Sequence, residues 1–173
     1  MAAETPFQTL GPFFSFALTQ TDAGHLATAD TAGERITITG ALIDGAGAPM
    51  ADGLIEIWQA DASGRYDDER FIGFGRTGTD AQGRFSFETV RPGRVPAPDG
   101  RLQAAHILVS VLGRGILTRY VTRIYFDGDA ALGEDPILAL VPESRHKTLL
   151  AQPAGPGQFR FDIVLQDRKS TRL

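Results

Sequence analysis

The chain has 173 residues, 42% apolar and 22% charged, with a formal net charge of -4 and no cysteine. Those values suit one globular domain that buries on the order of 70% of its unfolded surface. They exclude disulfides, thiolate metal sites and cysteine nucleophiles, and the acidic balance argues against general nucleic-acid binding. Glu4 and Pro6 stand where a secretory leader would be basic, and no apolar run approaches membrane-spanning length. A cytoplasmic protein with no membrane partner is expected.

Residues 1–34 read as an N-terminal arm and lead-in. Phe7, Phe13, Phe14 and Phe16 are interrupted by Pro6, Gly11 and Pro12 and follow neither the helical nor the strand period. Four packed aromatics bury roughly 600–1,000 Å², more than the roughly 300–600 Å² of the largest apolar patch on an ordinary monomer. The arm therefore wraps its own domain or packs on another chain. A domain over 35–167 follows. Ile36, Ile38 and Leu42 mark a first strand, and 53–60 and 71–78 supply the next two. Arg84 to Val90 alternates with Phe85 and Phe87 on one face, the clearest period-two signal in the chain. Strands 104–112 and 119–126 come next, then a short helix over Pro142–Leu150, then a last strand over 159–165 carrying Phe159 and Phe161. Turns at Asp44-Gly45-Ala46-Gly47, Asp80-Ala81-Gln82-Gly83 and Pro92-Gly93 separate them. Seven or eight short strands without a long amphipathic helix predict an all-β, single-domain β-sandwich. Residues 168–173 read as a solvated, disordered tail.

Side chains two apart on a strand share a face. On 104–112, His106, Leu108 and Ser110 point one way, and Ile107, Val109 and Val111 the other. A His-x-His pair there would put two imidazoles on one metal, but the second place is Leu108. On 119–126, Val121, Arg123 and Tyr125 share a face. Gly73-Phe74-Gly75-Arg76-Thr77-Gly78 spells G-x-G-x-x-G, yet a turn and a strand follow it where a dinucleotide loop needs a helix. Glu56 lies mid-strand and Asp61 in a turn, a context for structural ion pairs. Ser110 is too far along from His106 for nucleophile activation. His25 and His146 fall in a loop and at a helix end.

The blocks Gly53-Leu54-Ile55-Glu56-Ile57-Trp58-Gln59-Ala60-Asp61, Gly64-Arg65-Tyr66, Gly73-Phe74-Gly75-Arg76-Thr77, Val90-Arg91-Pro92-Gly93, Ala105-His106-Ile107 and Thr122-Arg123-Ile124-Tyr125-Phe126 resemble the intradiol ring-cleavage dioxygenases, in the family's order. The opening Thr5-Pro6-Phe7-Gln8-Thr9-Leu10-Gly11-Pro12-Phe13-Phe14 narrows the resemblance to the metal-free alpha chains of the family's two-chain enzymes. In the catalytic chains two tyrosines and two histidines hold Fe(III), a hard ion suited to phenolate oxygen. Carried over, those positions fall on Tyr66, Val95, His106 and Leu108, and an arginine expected three residues before the first histidine becomes Gln103. Two donors of four remain, so the resemblance implies no metal and no catalytic residue on this chain. It implies instead an iron-bearing beta chain as partner, a higher (alpha-beta)n assembly, and a small aromatic acid as substrate. Thr9, Gly11, Pro12 and Arg123 would then wall the partner's pocket, and the chain alone would be inactive. Two alternatives stay open: a self-sufficient intradiol dioxygenase with a reduced ligand set, and a non-catalytic sandwich module that binds a partner or an aromatic acid.

Overall fold

A computed structural model describes residues 17–19, 23–113, 116 and 119–165. Among them nine strands follow in order: β1 (Arg35–Ile43), β2 (Leu54–Trp58), β3 (Phe74–Gly78), β4 (Arg84–Val90), β5 (His106–Leu112), β6 (Tyr120–Phe126), β7 (Leu150–Gly155), β8 (Gln158–Arg160) and β9 (Ile163–Val164). They hydrogen-bond in the order β3-β2-β5-β6-β7-β8-β1-β4, with β9 added alongside β1. The β3-β2-β5-β6 layer and the β8-β1-β4 layer face each other. Ile55, Ile57, Ile107, Val109, Val111 and Ile124 from the first meet Ile36, Ile38, Phe85, Phe87 and Phe159 from the second in one core. The predicted β-sandwich is the observed architecture, and Phe85, Phe87, Phe159 and Phe161 lie in its core. The arm residues Phe7, Phe13, Phe14 and Phe16, with Thr9, Gly11 and Pro12, lie outside the described residues.

Two elements depart from the sequence reading. The segment 142–150 makes only a four-residue helix, α1 (Glu143–His146), and a 3-10 turn through Leu149. Leu150 is then drawn into β7, pairing in parallel with Tyr125. Pro153 and Gly155 hide this strand, because Pro cannot donate to a ladder and both are rare inside strands. β7 tolerates them because it changes partner midway, leaving β6 for β8 with a register shift between Pro153 and Gly155.

The predicted strand 159–165 breaks at Phe161–Asp162 into β8 and β9, both parallel to β1. At the break the Phe161 amide donates to the Thr39 carbonyl at 2.8 Å, and the Ala41 amide donates to Asp162 Oδ1 at 3.0 Å. Backbone approaches so closely that a Cβ on Gly40 would lie 1.9 Å from the Phe161 oxygen. Only glycine fits there.

Polar pins join the layers. Gln59 is fully buried, donates to the Val90 carbonyl at 2.9 Å and accepts from the Thr89 hydroxyl at 2.9 Å. Arg91 lies 4.5 Å from the Phe126 ring centre and pairs with Asp129 at 3.1 Å. Residues 127–141, with 3-10 turns at Leu132–Glu134 and Leu138–Leu140, fold back over the outer face of β6. There Tyr125, Ala104, Ala131 and Leu138 form a second, smaller core.

Candidate functional site

The outer face of the first layer carries the site. Register places Phe74 beside Trp58, Trp58 beside Leu108, and Leu108 beside Arg123. One step along, His106 stands opposite Tyr125. This face points away from the main core, yet His106 is only 4% exposed, because the 127–141 segment covers that end of the sheet.

Tyr66 reaches the same face from the turn after β2. Asp61, buried at the strand end, accepts the Ser63 and Arg65 amides at 2.8 and 2.9 Å and pairs with the Arg65 guanidinium at 3.1 Å. That turn aims Tyr66 so that its ring stacks on Trp58, 5.6 Å between centres and 13° apart. The loop carrying Val95 packs directly on the turn, and the Gly93 amide donates to the Asp61 carbonyl at 2.8 Å. Gly64, at φ +79°, leaves room there: a Cβ on it would lie 2.2 Å from the Arg94 oxygen. Val95 is buried and contributes carbon alone.

Asp135 organises the floor. Its buried carboxylate accepts from the Ala104 amide at 2.7 Å, the Tyr125 hydroxyl at 3.1 Å, and the Ile137 and Leu138 amides at 2.9 and 2.6 Å. The sequence reading missed it. Asp135-Pro136 before Ile137-Leu138 is a helix-start signal, and such a signal by itself marks a cap, not a site. Tyr125 in turn receives Nη1 of Arg123 at 3.3 Å, and the same Nη1 donates to Gln103 Oε1 at 2.7 Å. Gln103 is itself buried and donates to the Pro96 carbonyl at 3.2 Å.

The electrostatics follow burial first. Desolvation lowers the pKa of His106, aided by the Arg123 charge and opposed by the Ala104 carbonyl and Asp135. His106 Nδ1 lies 2.8 Å from the Ala104 oxygen; a carbonyl only accepts, so Nδ1 carries the proton and Nε2 holds a lone pair. Burial raises the Tyr66 phenol, against the pull of Arg123. Burial likewise raises Tyr125.

The structure thus gathers Tyr66, His106, Leu108, Gln103 and Arg123 on one face, with Val95 on the loop packed against the turn before Tyr66. Glu56 pairs with Arg76 and Asp61 with Arg65, as structural ion pairs. The G-x-G-x-x-G stretch is β3 and its approach. His25 pairs with Glu88 on the surface, and His146 Nε2 bonds the Val141 carbonyl at 2.8 Å.

On this two-layer β-fold a tyrosine from one loop and a histidine from a central strand meet on the face outside the core, the placement that the sequence resemblance implies. The comparisons agree. The family model described as Dioxygenase matches residues 10–167. The chain is 40% identical to the protocatechuate 3,4-dioxygenase alpha chain of Burkholderia cepacia, over 97% of this chain and 95% of that one. It is 37% identical to the beta chain from the same organism, over 82% and 68%. Among solved structures, the dioxygenase domain of a dioxygenase carbohydrate-binding protein fusion from Streptomyces sp. SirexAA-E superimposes with a TM-score of 0.68 at 31% identity, covering 95% and 99%. The chain belongs to the intradiol ring-cleavage dioxygenase family.

Intradiol dioxygenases are non-haem iron enzymes, and the residues here do not fit the ion. Of the four positions that the sequence resemblance assigns to ligands, Val95 and Leu108 carry hydrocarbon, and Arg123 is the cross-strand neighbour of Leu108. Disturbing only the groups that support a ligand costs roughly 10–100-fold in affinity, and two missing donors cost more.

Proposed function

We propose that this chain is the non-metal alpha subunit of a protocatechuate 3,4-dioxygenase. It scaffolds an iron-bearing beta subunit and completes that subunit's pocket for the cleavage of protocatechuate with O2 to 3-carboxy-cis,cis-muconate. The observation that carries the reading is the pair Val95 and Leu108 at ligand positions. The alpha-chain match, 40% identical over 97% of this chain, spans more of both chains than the beta-chain match, 37% identical over 82%. The donor set supports the same role, because a catalytic chain needs it and a scaffold does not.

In this reading Thr9, Gly11 and Pro12 of the arm, with Arg123, wall the beta subunit's pocket. A guanidinium stays charged at any working pH and forks onto a planar carboxylate, which suits an aromatic acid. The hydrogen bonds of Arg123 among the described residues both leave from Nη1, so the rest of the fork is available to an anion. Phe74, Trp58 and Tyr66, each about two-fifths exposed, add an apolar stripe on the same face for a partner to cover.

The test is co-expression with a candidate beta chain, then iron analysis and oxygen uptake with protocatechuate. The pair should co-purify with about one iron per alpha-beta unit and consume oxygen, while this chain alone holds no stoichiometric iron and shows no tyrosinate-to-iron colour. Near-equimolar ferric iron in the single chain, or a beta chain equally active alone, overturns the proposal.

A further inference from the structure

Loss of two donors explains weak metal binding but leaves a second feature of the site unexplained. His106 and Tyr125 are each held by a hydrogen bond. His106 donates Nδ1–H to a backbone carbonyl and turns Nε2 outward, the arrangement that metal-binding imidazoles adopt. Tyr125 and the Ala104 amide remain fixed by Asp135. Into this preserved frame projects Arg123, the cross-strand neighbour of Leu108; side chains so paired stand about 5 Å apart at Cβ. Its guanidinium is held by Gln103 and Tyr125, and the Tyr125 ring lies 5.9 Å from the His106 ring. An arginine at position 103 would repel Arg123, whereas glutamine supplies an acceptor that anchors it.

We propose that Arg123 is a built-in cation lock: its tethered guanidinium stands in for the positive charge that a metal ion would bring and bars such an ion even when donors are restored. The inference rests on the ligand positions used in the subunit reading, and it concerns this chain alone. A fixed like charge within about 4–6 Å shifts an ionic equilibrium by roughly 10- to 1,000-fold, comparable to the effect of a lost donor.

The test compares the full chain carrying Leu108→His with the same chain carrying Leu108→His/Arg123→Gln and Leu108→His/Arg123→Lys. Cobalt(II) is the probe, read by visible absorption and equilibrium dialysis, with thermal unfolding to establish that each variant is folded. Leu108 is only partly buried, so histidine fits without rebuilding the core. Should that variant not fold, Leu108→Asp provides a donor for the same three-way comparison. The Arg123→Gln double variant should bind cobalt about 100-fold more tightly than Leu108→His, and Arg123→Lys, which keeps the charge, should recover little of that. Equal affinity with and without Arg123, or no binding by any folded variant, overturns the lock. Oxygen uptake by the alpha-beta assembly is a separate readout, so failure of either proposal is told apart from failure of the other.

Discussion

Asp135 is the residue whose removal should cost the fold most. It is 1% exposed and accepts four hydrogen bonds, three of them from backbone amides. Asp135→Ala leaves those amides and the Tyr125 hydroxyl to find water or go unpaired. A bond to a charged group contributes about 1.5–3 kcal/mol and an unsatisfied buried donor costs about 1–3. Four such losses do not add, and water entering the gap offsets part of them, so a total of about 4 kcal/mol is expected. Asp135→Asn discriminates further. It keeps Oδ1, which serves Tyr125, Ile137 and Leu138, but sets an amide NH2 against the Ala104 N–H. The cost should be about 2 kcal/mol. For a domain of this size each kcal/mol lowers Tm by about 2–4 °C, so the alanine variant should melt about 8–16 °C lower and the asparagine variant about 4–8 °C lower. Urea unfolding monitored by Trp58 fluorescence measures both. An alanine variant within 1 kcal/mol of the parent, or an asparagine variant as damaged as alanine, would refute the account of this carboxylate as the anchor of the site floor.

Three further outcomes are expected. Deleting residues 1–16 should weaken assembly with a beta chain more than it destabilises the sandwich, whose phenylalanines 85, 87, 159 and 161 are already buried; an undiminished affinity in sedimentation or calorimetry argues against an interfacial arm. Arg123→Ala should lower kcat/KM of the assembly for protocatechuate by about 10–150-fold, if a charged hydrogen bond of about 1.5–3 kcal/mol is lost, with a smaller loss for catechol, which lacks the carboxylate. Equal losses for both substrates point to packing instead. Stability should also fall with acid through His106: its folded pKa lies below the ordinary 6.5, so the unfolded chain binds the proton more readily. That contribution is present above about pH 6.5 and is lost as pH falls towards the folded value. His106→Gln should flatten the slope of unfolding free energy in that window, and an unchanged slope assigns the acid sensitivity elsewhere.

The parts of this fold legible in the sequence are those where one physical signal acts alone. β4 shows clean alternation because Phe85 and Phe87 meet the core and the residues alternating with them do not. β2 was read three residues too long, one at its start and two at its end, where Gln59 turns inward to bridge the layers, which a polar residue at a strand end does not announce. β7 was hidden by Pro153 and Gly155, and its place in the sheet depends on long-range pairing with Tyr125 and Arg160. At the site, Tyr66, Val95, His106 and Leu108 could be placed by resemblance. The hydrogen bond from Arg123 to Gln103 could not, because twenty residues and two strands separate them. Nor could the burial of His106 and Tyr125, which sit on a face that alternation alone assigns to solvent; the cover arrives from residues 127–141, whose sequence has no period to read.

That cover also sets which residues of the site tolerate change. Asp135, Tyr125 and His106 belong to the second core, so replacing any of them leaves buried polar partners unsatisfied at about 1–3 kcal/mol each. Val95 and Leu108 are under no such constraint. Val95 faces the interior, where burying an aliphatic side chain contributes about 1.5–3 kcal/mol, and Leu108 is flanked by Trp58 on one side and by Arg123 on the other. On the subunit reading proposed above, hydrocarbon at these two positions adds packing without disturbing a hydrogen bond, whereas a change at Asp135, Tyr125 or His106 breaks one.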